Sequence, residues 1–198
     1  MKIIMVCGVI GSGKDYFLER YRREHPDEDV VEIKFAEPLK AIISNMYSID
    51  VSDKAKYEEW KKKPENRLLL QNLAEGIKEN LSQTIFAKKA VDKIKDYVFN
   101  YYRNEGMKLP TFIISDFRYK EELDVVFNHA NYIFSSLCDC NLYVYFTNYI
   151  SDRYDKTNTH KSEKMAQDMV KEGYEEGYYN VEVNGVDVIK LIKCNDKI

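Results

Sequence analysis

The chain opens with Lys2-Ile3-Ile4-Met5-Val6-Cys7-Gly8-Val9-Ile10-Gly11-Ser12-Gly13-Lys14-Asp15, an apolar run, a glycine loop and a lysine in immediate succession. Six residues, Lys2 to Cys7, read as a buried parallel strand. The segment after the loop carries Phe17, Leu18 and Tyr21 on one side and reads as an amphipathic helix. Strand, glycine loop and helix are the context that the pattern G-x-x-x-x-G-K requires. Glycines let backbone N–H groups turn inward around phosphate oxygens, and the helix N-terminus adds a favourable dipole. Lys14 supplies a mobile point charge for β- and γ-phosphates. The loop is therefore expected to be a phosphate-binding P-loop formed by Gly8, Val9, Gly11, Ser12, Gly13, Lys14, Asp15 and Tyr16.

Asp15 stands where a P-loop has serine or threonine, whose neutral hydroxyl would meet Mg²⁺. A carboxylate is also a hard oxygen ligand, but two like unit charges about 4 Å apart repel by about 4 kcal/mol at an effective dielectric near 20. Asp15 beside a triphosphate thus requires Mg²⁺, Lys14 or an arginine between them, and Ser12 offers a second oxygen. The other reading is that Asp15 only favours the start of the helix through its dipole.

Bulk properties bound the remaining classes. With 198 residues, 44% of them hydrophobic and 32% charged, the chain is expected to be one domain with a full core. A net charge of −3 provides no global positive field for a nucleic acid polymer or an anionic membrane, so a phosphate site must be a local pocket. Neither Cys7 nor Cys138-Asp139-Cys140 has the partners of a zinc site, and with Cys194 they read as reduced thiols of a cytoplasmic protein. Met1 leads directly into the first strand with no signal peptide, and no apolar stretch approaches a bilayer span. A homodimer is compatible with these residues, which do not decide the oligomeric state.

Along the chain, strands alternate with helices, which predicts an α/β fold with a parallel sheet covered on both faces. The reading places strands at residues 2–7, 30–35, 111–115, 141–146 and 178–183, the last followed by a short C-terminal helix. Residues 36–103 read as a helical insertion, with one apolar stripe at Leu70, Leu73 and Ile77 and another at Ala87, Ala90, Val91 and Ile94. A polar stretch, within about 147–164, reads as a lid.

Ligands of doubly wound sheets bind beyond the carboxyl ends of the strands. At that edge the sequence offers Asp116-Phe117-Arg118, where Glu122, four residues on, can hold the Arg118 guanidinium. Arg118 suits bidentate phosphate recognition, and Asp116 suits a metal- or water-linked acceptor or a base. A strand-end salt bridge is the plainer alternative. Phe35 and Lys40 could meet the base and phosphate of an acceptor, as could Arg67 and Gln71, a pair spaced i, i+4 opposite the Leu stripe. Lys61-Lys62-Lys63 reads as solvated charge. In the lid, Arg153 is the best transition-state cation, Lys156, His160 and Lys161 lie near it, and Thr159 is a candidate helix N-cap.

In this order the pieces resemble the bacteriophage-type deoxynucleoside monophosphate kinases. The resemblance rests on Gly13-Lys14-Asp15, Phe35-Ala36-Glu37-Pro38-Leu39-Lys40, Arg67-Leu68-Leu69-Leu70-Gln71-Asn72-Leu73, Ser115-Asp116-Phe117-Arg118 with Glu122, and Asn158-Thr159-His160-Lys161-Ser162-Glu163. It implies a P-loop kinase fold with a five-stranded parallel sheet, and Mg²⁺-dependent transfer from ATP to a deoxynucleoside monophosphate. It implies too that Lys14 contacts the transferring phosphate and that Arg67 and Arg118 hold the acceptor. At Leu73-Ala74-Glu75-Gly76 the chain departs from the family helix, which usually reads Leu-Gly-Thr-Asp there. Animal-type phosphomevalonate kinases are similar in the same places and would imply a different phosphorylated acceptor. A non-enzymatic nucleotide switch is the rival from another class, but the Asn-Lys-x-Asp motif of GTP switches is missing from the chain.

Overall fold

A computed structural model describes residues 1–9, 12–103, 108–130, 134, 140–147, 161–175 and 189–194. Within these, β1 (Lys2–Cys7) leads through the glycine loop into α1 (Lys14–Glu24) and β2 (Val30–Ile33). Four helices follow: α2 (Glu37–Tyr47), α3 (Lys54–Lys62), α4 (Pro64–Asn80) and α5 (Ile85–Arg103). The chain then re-enters the sheet as β3 (Thr111–Phe117), leaves through α6 (Lys120–His129), and returns as β4 (Asn141–Thr147). Last come α7 (Lys161–Glu175) and β5 (Ile189–Cys194).

All strand pairs are parallel, in the order β2-β3-β1-β4-β5. The fold is therefore α/β with a parallel sheet, as the alternation predicts. β1 reads as uninterrupted hydrophobicity because both its faces are covered. Ile3, Met5 and Cys7 join the large core with Ala87, Ala90, Val91 and Ile94 of α5, whereas Ile4 and Val6 pack with Leu18 and Tyr21 of α1. Fully burying one such aliphatic side chain contributes about 1.5–3 kcal/mol. Both stripes of the insertion face the core, the α5 stripe fully buried and Leu70, Leu73 and Ile77 partly so. Among the described residues, no helix is long and apolar enough to cross a membrane.

The end of the chain corrects the sequence reading. The strand expected at 178–183 lies outside the described residues. A short C-terminal helix is expected after it, but residues 189–194 form β5, with Leu142 aligned to Ile189 and Thr147 to Cys194. The exposed edge of β4 supplies unpaired backbone groups, and pairing with them outweighs an ambiguous periodicity.

Below the sheet, Glu28 ties three elements together. Its carboxylate accepts from Lys2 Nζ (3.0 Å), Tyr21 Oη (2.8 Å) and Thr111 Oγ1 (2.7 Å). Burial opposes its ionisation, but the bonds from Thr111, Lys2 and Tyr21 win and hold its pKa at about 2, below the ordinary 4.5. A depressed carboxylate stabilises the fold above its unfolded pKa and loses that contribution as pH falls through its folded pKa. Chemical denaturation should therefore show stability declining between about pH 4.5 and pH 2. Glu28→Gln should cost about 2 kcal/mol at neutral pH and flatten that decline. Equal acid sensitivity in the two proteins would contradict the assignment.

Candidate functional site

The site lies where β1 and β3 end, because the chain turns outward to β2 from one side of β1 and to β4 from the other. A cleft of about 400 Å³ opens there, bounded by the glycine loop, the β2–α2 turn, α3, α4 and the β3–α6 turn.

Gly13 stands at the N-cap of α1 with φ 86°, a left-handed conformation that glycine adopts without a Cβ penalty. Ser12 N–H donates to the Val9 carbonyl at 3.1 Å, so the loop doubles back on itself. Lys14 follows as the first helical residue. Its Nζ donates to the carbonyls of Gly8 (2.6 Å) and Val9 (2.7 Å), which fixes the ammonium over the loop. Burial, and then the Arg118 guanidinium, lower its pKa to about 8. Asp15 is exposed in the first turn and lines the cleft, Ser12 is buried at 2% exposure, and Tyr16 is exposed. Gly11 lies outside the described residues.

Asp116 ties the tip of β3 to the β2–α2 turn. Its two carboxylate oxygens accept from the N–H groups of Phe35 (2.8 Å) and Ala36 (2.9 Å). Burial raises its pKa despite those two amides. Asp116 is thus held by backbone donors, and β2 ends at Ile33 rather than at Phe35 because these amides leave the sheet for the carboxylate.

The predicted Arg118–Glu122 side-chain pair does not form. Arg118 precedes α6, so helical i, i+4 geometry does not apply to it. Glu122 instead folds back along its own helix terminus, and its Oε2 accepts from the backbone N–H groups of Arg118 (3.0 Å) and Tyr119 (3.1 Å). Its Oε1 accepts from Lys78 Nζ at 3.1 Å, with both side chains about 5% exposed or less. Burial raises the Glu122 pKa while Lys78 opposes the rise. The carboxylate predicted to hold the Arg118 guanidinium is therefore spent on positioning the turn. The Arg118 guanidinium turns to Ser162 Oγ (3.2 Å) and to the buried Glu163 carboxylate in the first turn of α7.

One face of α4 forms the far wall. Arg67, Gln71, Glu75 and Lys78 recur at helical spacing and all line the cleft. Leu70 and Ala74 line it too, so the Arg67–Gln71 face is flanked by the apolar stripe rather than opposite it. Tyr119 donates to Glu75 Oε1 at 2.7 Å, and its ring lies 3.4 Å from Lys78 Nζ. Sequence reasoning missed Glu75 and Lys78, although continuing the Arg67–Gln71 spacing leads to Glu75 after one further turn and to Lys78 after two. Lys40 and Phe35 line the cleft as expected, with Lys40 Nζ 5.1 Å from the Tyr57 ring centroid. Lys40's pKa is lowered by burial and then by Lys34 and Lys61, so these lysines crowd each other. Lys61 belongs to this wall rather than to solvated surface, while it also pairs with Glu58 at 3.2 Å.

Arg153, Lys156, Thr159 and His160, with most of the expected lid, lie outside the described residues. Among the described residues, no group of three or more His, Cys, Asp or Glu side chains is disposed to hold a metal ion. No protein-family model matches the chain, and no curated protein matches it.

Proposed function

We propose that the protein is a P-loop kinase that transfers the terminal phosphoryl group of ATP to the phosphate of a (deoxy)nucleoside monophosphate. The observation that carries this reading is that Lys14 on the glycine loop, Arg118 at the β3 end, and Lys40 and Arg67 on the insertion all open on one cleft. Lys14 with the loop amides would hold ATP, and the other three cations would hold the acceptor. An acceptor phosphate is already an anionic oxygen, so no strong general base is required. That oxygen would form the new P–O bond in line as the bond to the ADP leaving group breaks. Positioning and charge neutralisation then account for the catalysis.

Asp15 and Ser12 are hard oxygen donors of the kind Mg²⁺ accepts, and Mg²⁺ needs only one or two of them beside phosphate oxygens and water. When bound, the ion would neutralise charge between the β- and γ-phosphates. Arg153 is the proposed lid cation. Cytoplasmic residence and free nucleotide substrates complete the reading.

The test is acceptor-dependent ADP release from Mg·ATP, screened over the four deoxynucleoside monophosphates, the ribonucleotides and phosphomevalonate. Turnover with one or more nucleotides is the expected result. Turnover with phosphomevalonate alone would replace the acceptor assignment, and ATP binding without any turnover would leave a nucleotide-binding protein.

A further inference from the structure

The α4 wall presents three polar side chains to the cleft whose bonding capacity the protein does not use up. The side chains of Arg67 and Gln71 make no hydrogen bond or ion pair with any described residue. Glu75 gives only Oε1 to Tyr119 and leaves Oε2 without a described partner. One turn further in, Lys78 is closed off by Glu122 and by the Tyr119 ring. Glu75 is therefore the innermost group on this face with an open lone pair.

A carboxylate oxygen accepts and does not donate. It repels a phosphate and suits a neutral N–H or O–H donor. Arg67 and Glu75 are eight residues apart, or about 12 Å along a helix at 1.5 Å per residue. That separation suits a nucleoside monophosphate with its phosphate at the Arg67 end and its nucleoside at the Glu75 end.

We propose that Glu75 is a specificity-determining residue for the acceptor, its Oε2 accepting a hydrogen bond from a neutral donor on the nucleoside. The donor is a sugar hydroxyl or an N–H of the base, and the proposal rests on the nucleotide-kinase reading. A site built to bond such a donor discriminates strongly against analogues that lack it, because its own polar group is then left unpaired.

Glu75→Gln isolates this role. The amide oxygen still accepts from Tyr119, while the second position changes from an acceptor to a donor. With the acceptor the wild type prefers, KM should rise about 10–100-fold, with kcat, KM for ATP and melting temperature little changed. The source of the donor is read by giving the wild type a 2′,3′-dideoxy acceptor and, separately, a base analogue lacking the amino group. The analogue that removes the bond should raise the wild-type KM and leave the variant's unaffected. An unchanged acceptor KM in Glu75→Gln, with the wild type active on nucleotides, would overturn this inference alone. A wild type that turns over no nucleotide would overturn the kinase reading and this inference with it.

Discussion

Lys14→Ala should lose about 10²–10³-fold in turnover, as expected when one preorganised charge donor to a transition state is removed. Its melting temperature should stay close to that of the wild type. Among the described residues Nζ bonds only the carbonyls of Gly8 and Val9, and alanine leaves the helical backbone intact. On the proposed kinase reading, the ammonium would be held over the loop before a phosphate arrives, leaving little reorganisation for the reacting complex. The sign of the pH dependence follows from the same geometry. A pKa lowered to about 8 by burial and Arg118 would rise again beside a phosphate, so binding takes up a proton. Wild-type ATP affinity should weaken as pH rises through about 8, and the alanine variant should show no such step. Isothermal titration across that range, with steady-state kinetics, measures both effects. A folded Lys14→Ala protein with normal turnover would remove the basis of the kinase assignment.

Lys78→Met carries the largest expected effect on stability, about 3–5 kcal/mol. The substitution leaves the Glu122 carboxylate buried with two backbone donors but no counter-ion. Its pKa, already raised by burial, would rise further. A group raised in the fold contributes stability that is present at low pH and lost as pH climbs through the folded value. The variant should therefore recover part of its deficit in acid, opposite in direction to the loss expected at Glu28. Adding Glu122→Gln should restore much of the stability at neutral pH, since the amide oxygen can still accept from Arg118 and Tyr119. Denaturant unfolding of the four proteins completes the cycle, and additive losses would show that the two side chains are not coupled.

What could be read from sequence was what local chemistry encodes. β1 announced itself because two apolar faces leave no alternation, and α5 because Ala87, Ala90, Val91 and Ile94 repeat at a helical period. Gly13 was legible since the turn into α1 needs a positive φ. Illegible were pairings across distance. Glu122 finds Lys78, and Arg118 finds Glu163, over separations of 44 and 45 residues, with no periodic trace in the intervening sequence. The same limit explains the misread Arg118–Glu122 pair, where the right spacing began two residues before the helix. Asp116 was found as a residue but not as a clamp, because its partners are backbone amides that carry no side-chain signature.

The central place of β1 also has a consequence for synthesis. Lys2 is aligned with Thr111 on one side and Asn141 on the other, so β1 leaves the ribosome long before either neighbour has been made. Until β3 has emerged, the glycine loop has no sheet to be anchored in, and vectorial folding from the N-terminus gains little. Such distant pairings carry high loop-closure entropy and favour slow folding. A nascent chain stalled within the insertion would expose β1 as an unpaired apolar strand, the kind of surface that chaperones meet. The cleft, whose lining runs from Lys14 to Ser162, is thus completed only when most of the chain has been made.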